Sequence, residues 1–368
     1  MSVQRECILI VLVAGIGDLV LASKGIRAIR NGYPEAEIHL LTSTDAAPLA
    51  RHYPYIDRVW PFPIRELRGD RAHALAVLGL IRRLRRFRFR TAVNLYSVES
   101  AAGAFRMGSL MMLSGAAERV GIDGYGLGYF LTKKVSPSRI RGRHVADAMV
   151  EIALSAGGVA DDGGIEVFWS PAAEERCRDL LPAGMPVVGI NPGGLRCNRR
   201  WAPRKFAEVA DRLIEQEGVI IGLLGGPGEE GIGETVLGDM RRSAVNLSGR
   251  LNLEELTCVI SRLNALITND SAPMHIAAAT GTPQVALFGP EDHTLFRPYA
   301  EPGAYEIASA DIGCRPCRKD ECGNPLCLDL ITPDVVFEKC RRLLRAAART
   351  GEPRGRAGTA EERSAIGV

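Results

Sequence analysis

Residues 263–289 limit most sharply what this chain can become. Residues 263–268 read as a buried strand. Asn269, Asp270 and Ser271 are N-cap residue types, and Pro273 suits the first turn of a helix. Residues 274–280 read as a short Ala-rich helix closed by Gly281, and residues 284–288 as a second strand stopped by Gly289-Pro290. A helix N-terminus at the carboxyl end of a strand carries unpaired N–H groups and a positive dipole end, so it suits an anion. His275 lies three or four residues past Ala272 and Ser271 and shares their face. The plain alternative is a well-capped structural helix with a satisfied histidine.

The same strand-to-helix grammar opens the chain. Residues 8–14 form a continuous apolar run, as expected of a parallel strand buried on both faces. Gly15-Ile16-Gly17-Asp18 reads as a tight turn, residues 19–31 as a helix and residues 37–42 as the next strand. A dinucleotide fingerprint would want a third glycine where Val20 stands, and an acid closer to the second strand than Asp45. What remains is a glycine turn that lets Gly17 bring backbone close to a ligand, with Asp18 beside it. Asp18 could serve the helix dipole, or act as a general base at the carboxyl edge where such sheets bind ligands.

The chain is long enough for two domains, with 368 residues. A polar, glycine-rich break over 157–164 predicts a boundary, with domains over 1–170 and 171–335. Residues 187–190 restart the β-α pattern and run into Asn191-Pro192-Gly193-Gly194, then Arg199-Arg200-Trp201 and a helix over 205–217. A strand over 219–224 leads into Gly225-Gly226-Pro227-Gly228-Glu229, a short strand over 244–247 follows, and a helix over 253–262 has Asn252 as its N-cap. The strand ends carry glycine, asparagine, acid or arginine, which puts the chemically capable loops on one sheet edge. A last amphipathic helix ends near residue 350, with 336–350 beyond the second domain, and the polar tail over 351–368 reads as disordered.

Two further features stand out. A helix over 74–89 carries six arginines within nine residues, Arg82, Arg83, Arg85, Arg86, Arg88 and Arg90, and an apolar stripe of Leu78, Ile81, Leu84 and Phe87. It is either a solvated face or a contact for an anionic acceptor or surface. Cys314, Cys317, Cys322 and Cys327 have the spacing C-x2-C-x4-C-x4-C, with Pro316 and Gly323 permitting tight loops. Disulfides, free structural thiols and a closed tetrahedral metal site of four thiolates compete here; zinc or a single iron would suit the last. A structural role is expected for it, because no acid or histidine completes an open catalytic site. A net charge of +3 is too small to argue for nucleic acid, and no apolar run approaches the roughly 18 residues of a membrane span. With no export signal legible, the expected compartment is a reducing cytoplasm, where nine cysteines are not a disulfide framework.

Taken together, ILIVLVAGIGDLVLASKGIRAIRNGYPEAEIHLLT, NPGG, RRW, LLGGPGEE and TNDSAPMHIAAATGTPQVALFG, in that order, resemble the motifs of glycosyltransferase family 9, the heptosyltransferases, over about residues 6–345. The resemblance implies the α/β GT-B architecture, two doubly wound Rossmann-like domains facing a central cleft. It implies inverting transfer of a heptose from an ADP-sugar to an acceptor, most often lipopolysaccharide core. Asp18 would be the base. Arg199, with Arg200 beside it, would meet the donor phosphates, and Glu229 the ribose. Asp270, Ser271, Ala272 and His275 would cradle the diphosphate, with Gly17, Asn191 and Gly193 counted among the donor-binding residues. The family usually has Gly where this chain has Ala272, and a methyl there could crowd the phosphate.

The chemistry is consistent with that implication. A hydroxyl nucleophile needs a carboxylate to take its proton, and a nucleoside diphosphate leaving group needs its charge held. No convincing D-x-D motif supplies a metal for this, so Arg199, Arg200 and the helix N-terminus at Ser271 are expected to do so without a cofactor. The expected partners are an ADP-sugar donor, an anionic glycolipid or glycan acceptor, and the inner membrane surface in a peripheral contact, with no nucleic acid. A nucleotide-sugar epimerase would instead turn over donor alone, and a non-catalytic binding module would show no transfer dependent on Asp18.

Overall fold

The computed structural model describes residues 5–64, 71–319 and 321–350. The chain divides into two compact units, 1–165 and 166–368. In the first, β1 (Cys7–Leu12), β2 (Glu37–Ser43), β3 (Arg58–Phe62), β4 (Thr91–Asn94), β5 (Glu118–Ile122) and β6 (Lys133–Val135) form one sheet in the order β3-β2-β1-β4-β5-β6. In the second, β7 (Val187–Asn191), β8 (Ile220–Leu223), β9 (Val245–Asn246), β10 (Ala265–Asn269), β11 (Gln284–Phe288) and β12 (Tyr305–Ser309) are ordered β12-β11-β10-β7-β8-β9. All strand pairs are parallel. Each unit is therefore doubly wound, and its order reverses between its first and fourth strands, where such sheets leave a crevice for ligands.

Each sheet buries its own core. Leu9, Val11, Leu41, Ala92 and Phe89 pack with Met111 and Phe130 in the first unit. In the second, Val188, Ile190, Ile267 and Leu287 pack with Trp201, Phe206 and Phe337. The final helix, Pro333–Thr350, contributes Val336, Phe337, Cys340 and Leu343 to that core, so it is part of the second unit. The tail over 351–368 lies outside the described residues. No helix among the described residues is long and apolar enough to cross a membrane.

Two local expectations change. Gly15-Ile16-Gly17-Asp18 is not a separate turn: Gly15 is the N-cap of a helix that already begins at Ile16 and runs to Gly32. The basic helix spans Arg71–Arg85, not 74–89. Arg86, Arg88 and Arg90 follow it, and Arg88 takes φ 50°, a left-handed conformation that ends the helical path. The cause is the period-two spacing of Phe87 and Phe89. Both rings contact His39 edge-on, at 4.4 and 5.0 Å between centroids, which an extended segment allows and a helix does not.

Candidate active site

In the second unit, the register that pairs Thr268 with Asn191 brings the loops after β7 and β10 side by side at the strand-order reversal. Asn269 bolts them together. Its Nδ2 donates to the carbonyls of Pro192 and Gly193, both at 2.9 Å, and its Oδ1 accepts the Trp201 N–H at 3.0 Å. Glu229 joins the loop after β8 to the same assembly. Oε1 accepts the Gly194 N–H at 2.6 Å and Oε2 the Gly226 N–H at 2.9 Å. A Cβ at Gly193 would run into the Glu229 carboxylate, so a side chain there would push Glu229 off the loop amides it holds. Gly194, at φ 135°, lies where L side chains are strained. Arg200 donates from Nε to the Gly194 carbonyl at 2.8 Å. Asn191 is 1% exposed, and neither of its amide atoms has a protein partner.

Arg199 ends a short 3₁₀ turn, Cys197–Arg199, and is gripped by two buried carboxylates. Nη1 contacts Asp270 Oδ2 and Nη2 contacts Glu291 Oε2, each at 2.6 Å. Burial pushes the Asp270 carboxyl up to about 6, against the opposing pull of Arg199. Sequence reasoning grouped Asp270 with the diphosphate cradle; its immediate partner is Arg199. Glu291 was missed altogether. Its only signal was an acid just past the Gly289-Pro290 stop of β11, one strand removed from β10.

The helix Ala272–Thr280 starts as expected, with Ser271 as N-cap, Pro273 in its first turn and Gly281 left-handed after its end at φ 72°. No side chain caps it. The Ser271 hydroxyl turns back to the Asn269 carbonyl at 3.2 Å. A Cβ on Gly194 would lie 3.4 Å from that of Ser271, so the glycine loop of β7 rests against this helix mouth. Ala272 occupies a helical position that an L residue adopts without strain, and His275 is buried one turn further in.

In the first unit, Asp18 and Gly17 lie in the first turn of the helix after β1, beside the strand-order reversal. Asp18 Oδ2 accepts the Gly15 N–H at 2.9 Å. The capping role is thus present, and a carboxylate with four lone-pair positions keeps capacity for a second task.

All nine cysteines are free thiols. Burial raises the Cys327 thiol; Arg315 lowers it, and Cys314, Cys317 and Cys322 lie near enough to raise it too. Among the described residues, the group whose metal-capable atoms come within 4.8 Å of one another is Cys7, Glu37 and His39, not the four cysteines. That trio does not suit a metal. His39 Nδ1 accepts the Trp60 Nε1–H at 3.1 Å, so the neutral ring carries its proton on Nε2, which faces Glu37 Oε1 at 3.2 Å. Metal on Nε2 would require Nδ1 to become a donor toward another donor.

With this geometry in hand, the chain can be set beside known proteins. Residues 77–327 match the sequence model of glycosyltransferase family 9 (heptosyltransferase). Lipopolysaccharide heptosyltransferase 3 of Escherichia coli is 25% identical over 337 residues, which cover 89% of this chain and 96% of that protein. The structure of E. coli ADP-heptose LPS heptosyltransferase II superposes with a TM-score of 0.73 at 23% identity, covering 92% of this chain and 98% of that one. The iron-containing dodecameric glycosyltransferase TibC from enterotoxigenic E. coli H10407 gives 0.55 at 15% identity, covering 95% and 78%.

Proposed function

We propose a donor, an acceptor and a mechanism for this chain, which belongs to glycosyltransferase family 9 and has its GT-B fold. In our reading it moves a heptose from ADP-heptose to a hydroxyl of lipopolysaccharide core, with inversion and without a catalytic metal. The observation that carries this reading is the convergence of Arg199, Arg200, the glycine loop and an uncapped helix N-terminus at one strand-order reversal. These groups suit a diphosphate: fixed N–H donors and planar guanidinium groups are the kinds that hold the charge developing on such a leaving group. Asn191 supplies an unmatched buried amide in the same place. Glu229, already holding two loop amides, could accept a ribose hydroxyl on its remaining lone pairs. Asp18 would take the acceptor proton. Purified protein should transfer heptose from ADP-heptose to truncated lipopolysaccharide in EDTA. Equal turnover of other sugar nucleotides, or activity lost in EDTA and restored by Mg²⁺, would overturn the reading.

In the same reading the reaction runs in the cytoplasm, with the protein resting on the inner membrane. Arg82, Arg85 and Arg86 are exposed near the end of the helix Arg71–Arg85, which also exposes Leu75 at 69% and Leu78. Arg83 stacks over Trp60 at 5.0 Å and is partly committed there. Replacing Arg82, Arg85 and Arg86 with Gln should raise the acceptor KM at low salt and change it little at high salt, because exposed charges are screened within about 8 Å at physiological ionic strength. An unchanged KM at low salt would leave a solvated face.

The four-cysteine segment would hold one structural zinc or iron. The donor set fits in kind: four soft thiols, with Cys314, Cys317 and Cys322 near enough to Cys327 to raise it. Elemental analysis of untagged protein should find about one zinc or iron per chain, and Cys314→Ser should lose it. Metal-free, fully active protein whose four thiols react with Ellman's reagent would remove the site.

A further inference from the structure

The loop that carries Cys314 and Cys317 docks on the strand end that supplies Glu291. The N–H groups of Cys317 and Arg318 both donate to the Pro290 carbonyl, at 3.1 and 3.0 Å. Arg315 donates from Nε to the Gly289 carbonyl at 2.6 Å and from Nη2 to the Glu291 carbonyl at 3.4 Å. Asn198 Nδ2 donates to the Lys319 carbonyl, tying the same loop to the turn that bears Arg199. Arg318 is held in a left-handed conformation, φ 54°, with its guanidinium 5.7 Å from the Phe296 ring centroid. From there its Nε reaches Glu291 Oε1 at 2.8 Å. Glu291 thus gives one oxygen to Arg318 and the other to Arg199, whose second nitrogen meets Asp270. The result is a line of alternating charge, Arg318, Glu291, Arg199, Asp270.

We propose that Arg318 is a positioning residue of the donor site, acting on the nucleoside diphosphate through Glu291 and Arg199. This rests on the reading of Arg199 as a diphosphate ligand. A carboxylate shared between two guanidinium groups cancels only part of each charge and holds each in one orientation. Without Arg318, Oε1 is held only by the Asp292 N–H, at 3.1 Å, and Glu291 can turn both oxygens onto Arg199 in a bidentate pair. That pair, added to the contact with Asp270, would compensate the Arg199 charge more fully and rotate its fork away from phosphate. Sequence separation hides the link, since Arg199 and Arg318 are 119 positions apart in the chain. By this route a disturbance of the cysteine loop reaches the donor site.

The test is calorimetric titration of ADP and of adenosine into the full chain. Arg318→Ala should weaken ADP about tenfold, and by less than about twofold when Glu291 is already Gln, as expected of coupled neighbours. Adenosine affinity should not move, and Arg318→Lys should recover most of the ADP loss by keeping a cation against Glu291. Unchanged ADP affinity in Arg318→Ala, an equal loss in the Gln background, or a parallel loss of adenosine would overturn the proposal. Arg199→Ala separates the two ideas. If it leaves ADP affinity intact, the donor reading fails. If it weakens ADP while Arg318→Ala does not, only the role of Arg318 fails.

Discussion

Asp18→Asn is expected to fold as the parent does and to lose roughly 10²–10⁴ in kcat, with ADP affinity nearly unchanged. The choice of Asn follows from the bond that Asp18 already makes. Its Oδ2 accepts the Gly15 N–H at the start of the helix Ile16–Gly32, and an amide oxygen can accept the same proton. The favourable charge at the dipole end is lost, about 0.3–1 kcal/mol for this half-buried residue. Asp18→Ala would remove the capping bond as well and confuse stability with chemistry. An amide cannot take a proton from the acceptor hydroxyl, so the base function disappears while the helix start survives. Steady-state rates at saturating donor and acceptor, alongside a thermal melt, read both. A near-parental kcat with a small drop in Tm would leave Asp18 as a helix cap and nothing more.

What was legible in the sequence divides along one physical line. Elements specified by neighbours in the chain could be read. The helix Leu253–Ser261 has its capping box between Asn252 and Glu255, and Ala272–Thr280 has its left-handed Gly281. The central strands announce themselves as apolar runs. Three of the four edge strands do not: β3 contains Pro61 and starts with Arg58, β6 is Lys-Lys-Val, and β12 is only partly buried. Phe87 was assigned to a helical stripe because Leu84 and Ile81 precede it at the right spacing; its real partners are His39 and Trp60, on other strands. The site shows the same limit. Arg199 and Glu229 carried local motifs, but the bonds of Asn269 to Pro192, Gly193 and Trp201 exist only because β7 and β10 are neighbours. Glu291 had no motif of its own to reveal that it would face Arg199.

Arg199→Ala is expected to weaken ADP by about a hundredfold, the worth of two charge-assisted hydrogen bonds at about 1.5 kcal/mol each. It should also cost stability, about 3–5 kcal/mol, because Asp270 is left buried without its cation while Glu291 keeps only Arg318. The stability loss must depend on pH in a particular direction. Asp270 already sits at about 6 in the folded protein, raised from 3.8 by burial and restrained by Arg199. A carboxyl whose folded value lies above its unfolded value favours the fold most below about pH 4, and that contribution fades as pH rises through the folded value. Removing Arg199 lifts the folded value further, so the fading extends to higher pH. The Tm deficit of Arg199→Ala should then be largest near pH 8 and smallest near pH 5. Adding Asp270→Asn to Arg199→Ala removes one orphaned carboxylate and should recover part of the Tm at pH 8. It should not recover ADP affinity if Arg199 touches the diphosphate itself. If affinity returns together with stability, Arg199 is a structural counter-ion, and the charge of the leaving group must be held by Arg200 and the helix mouth at Ser271 alone.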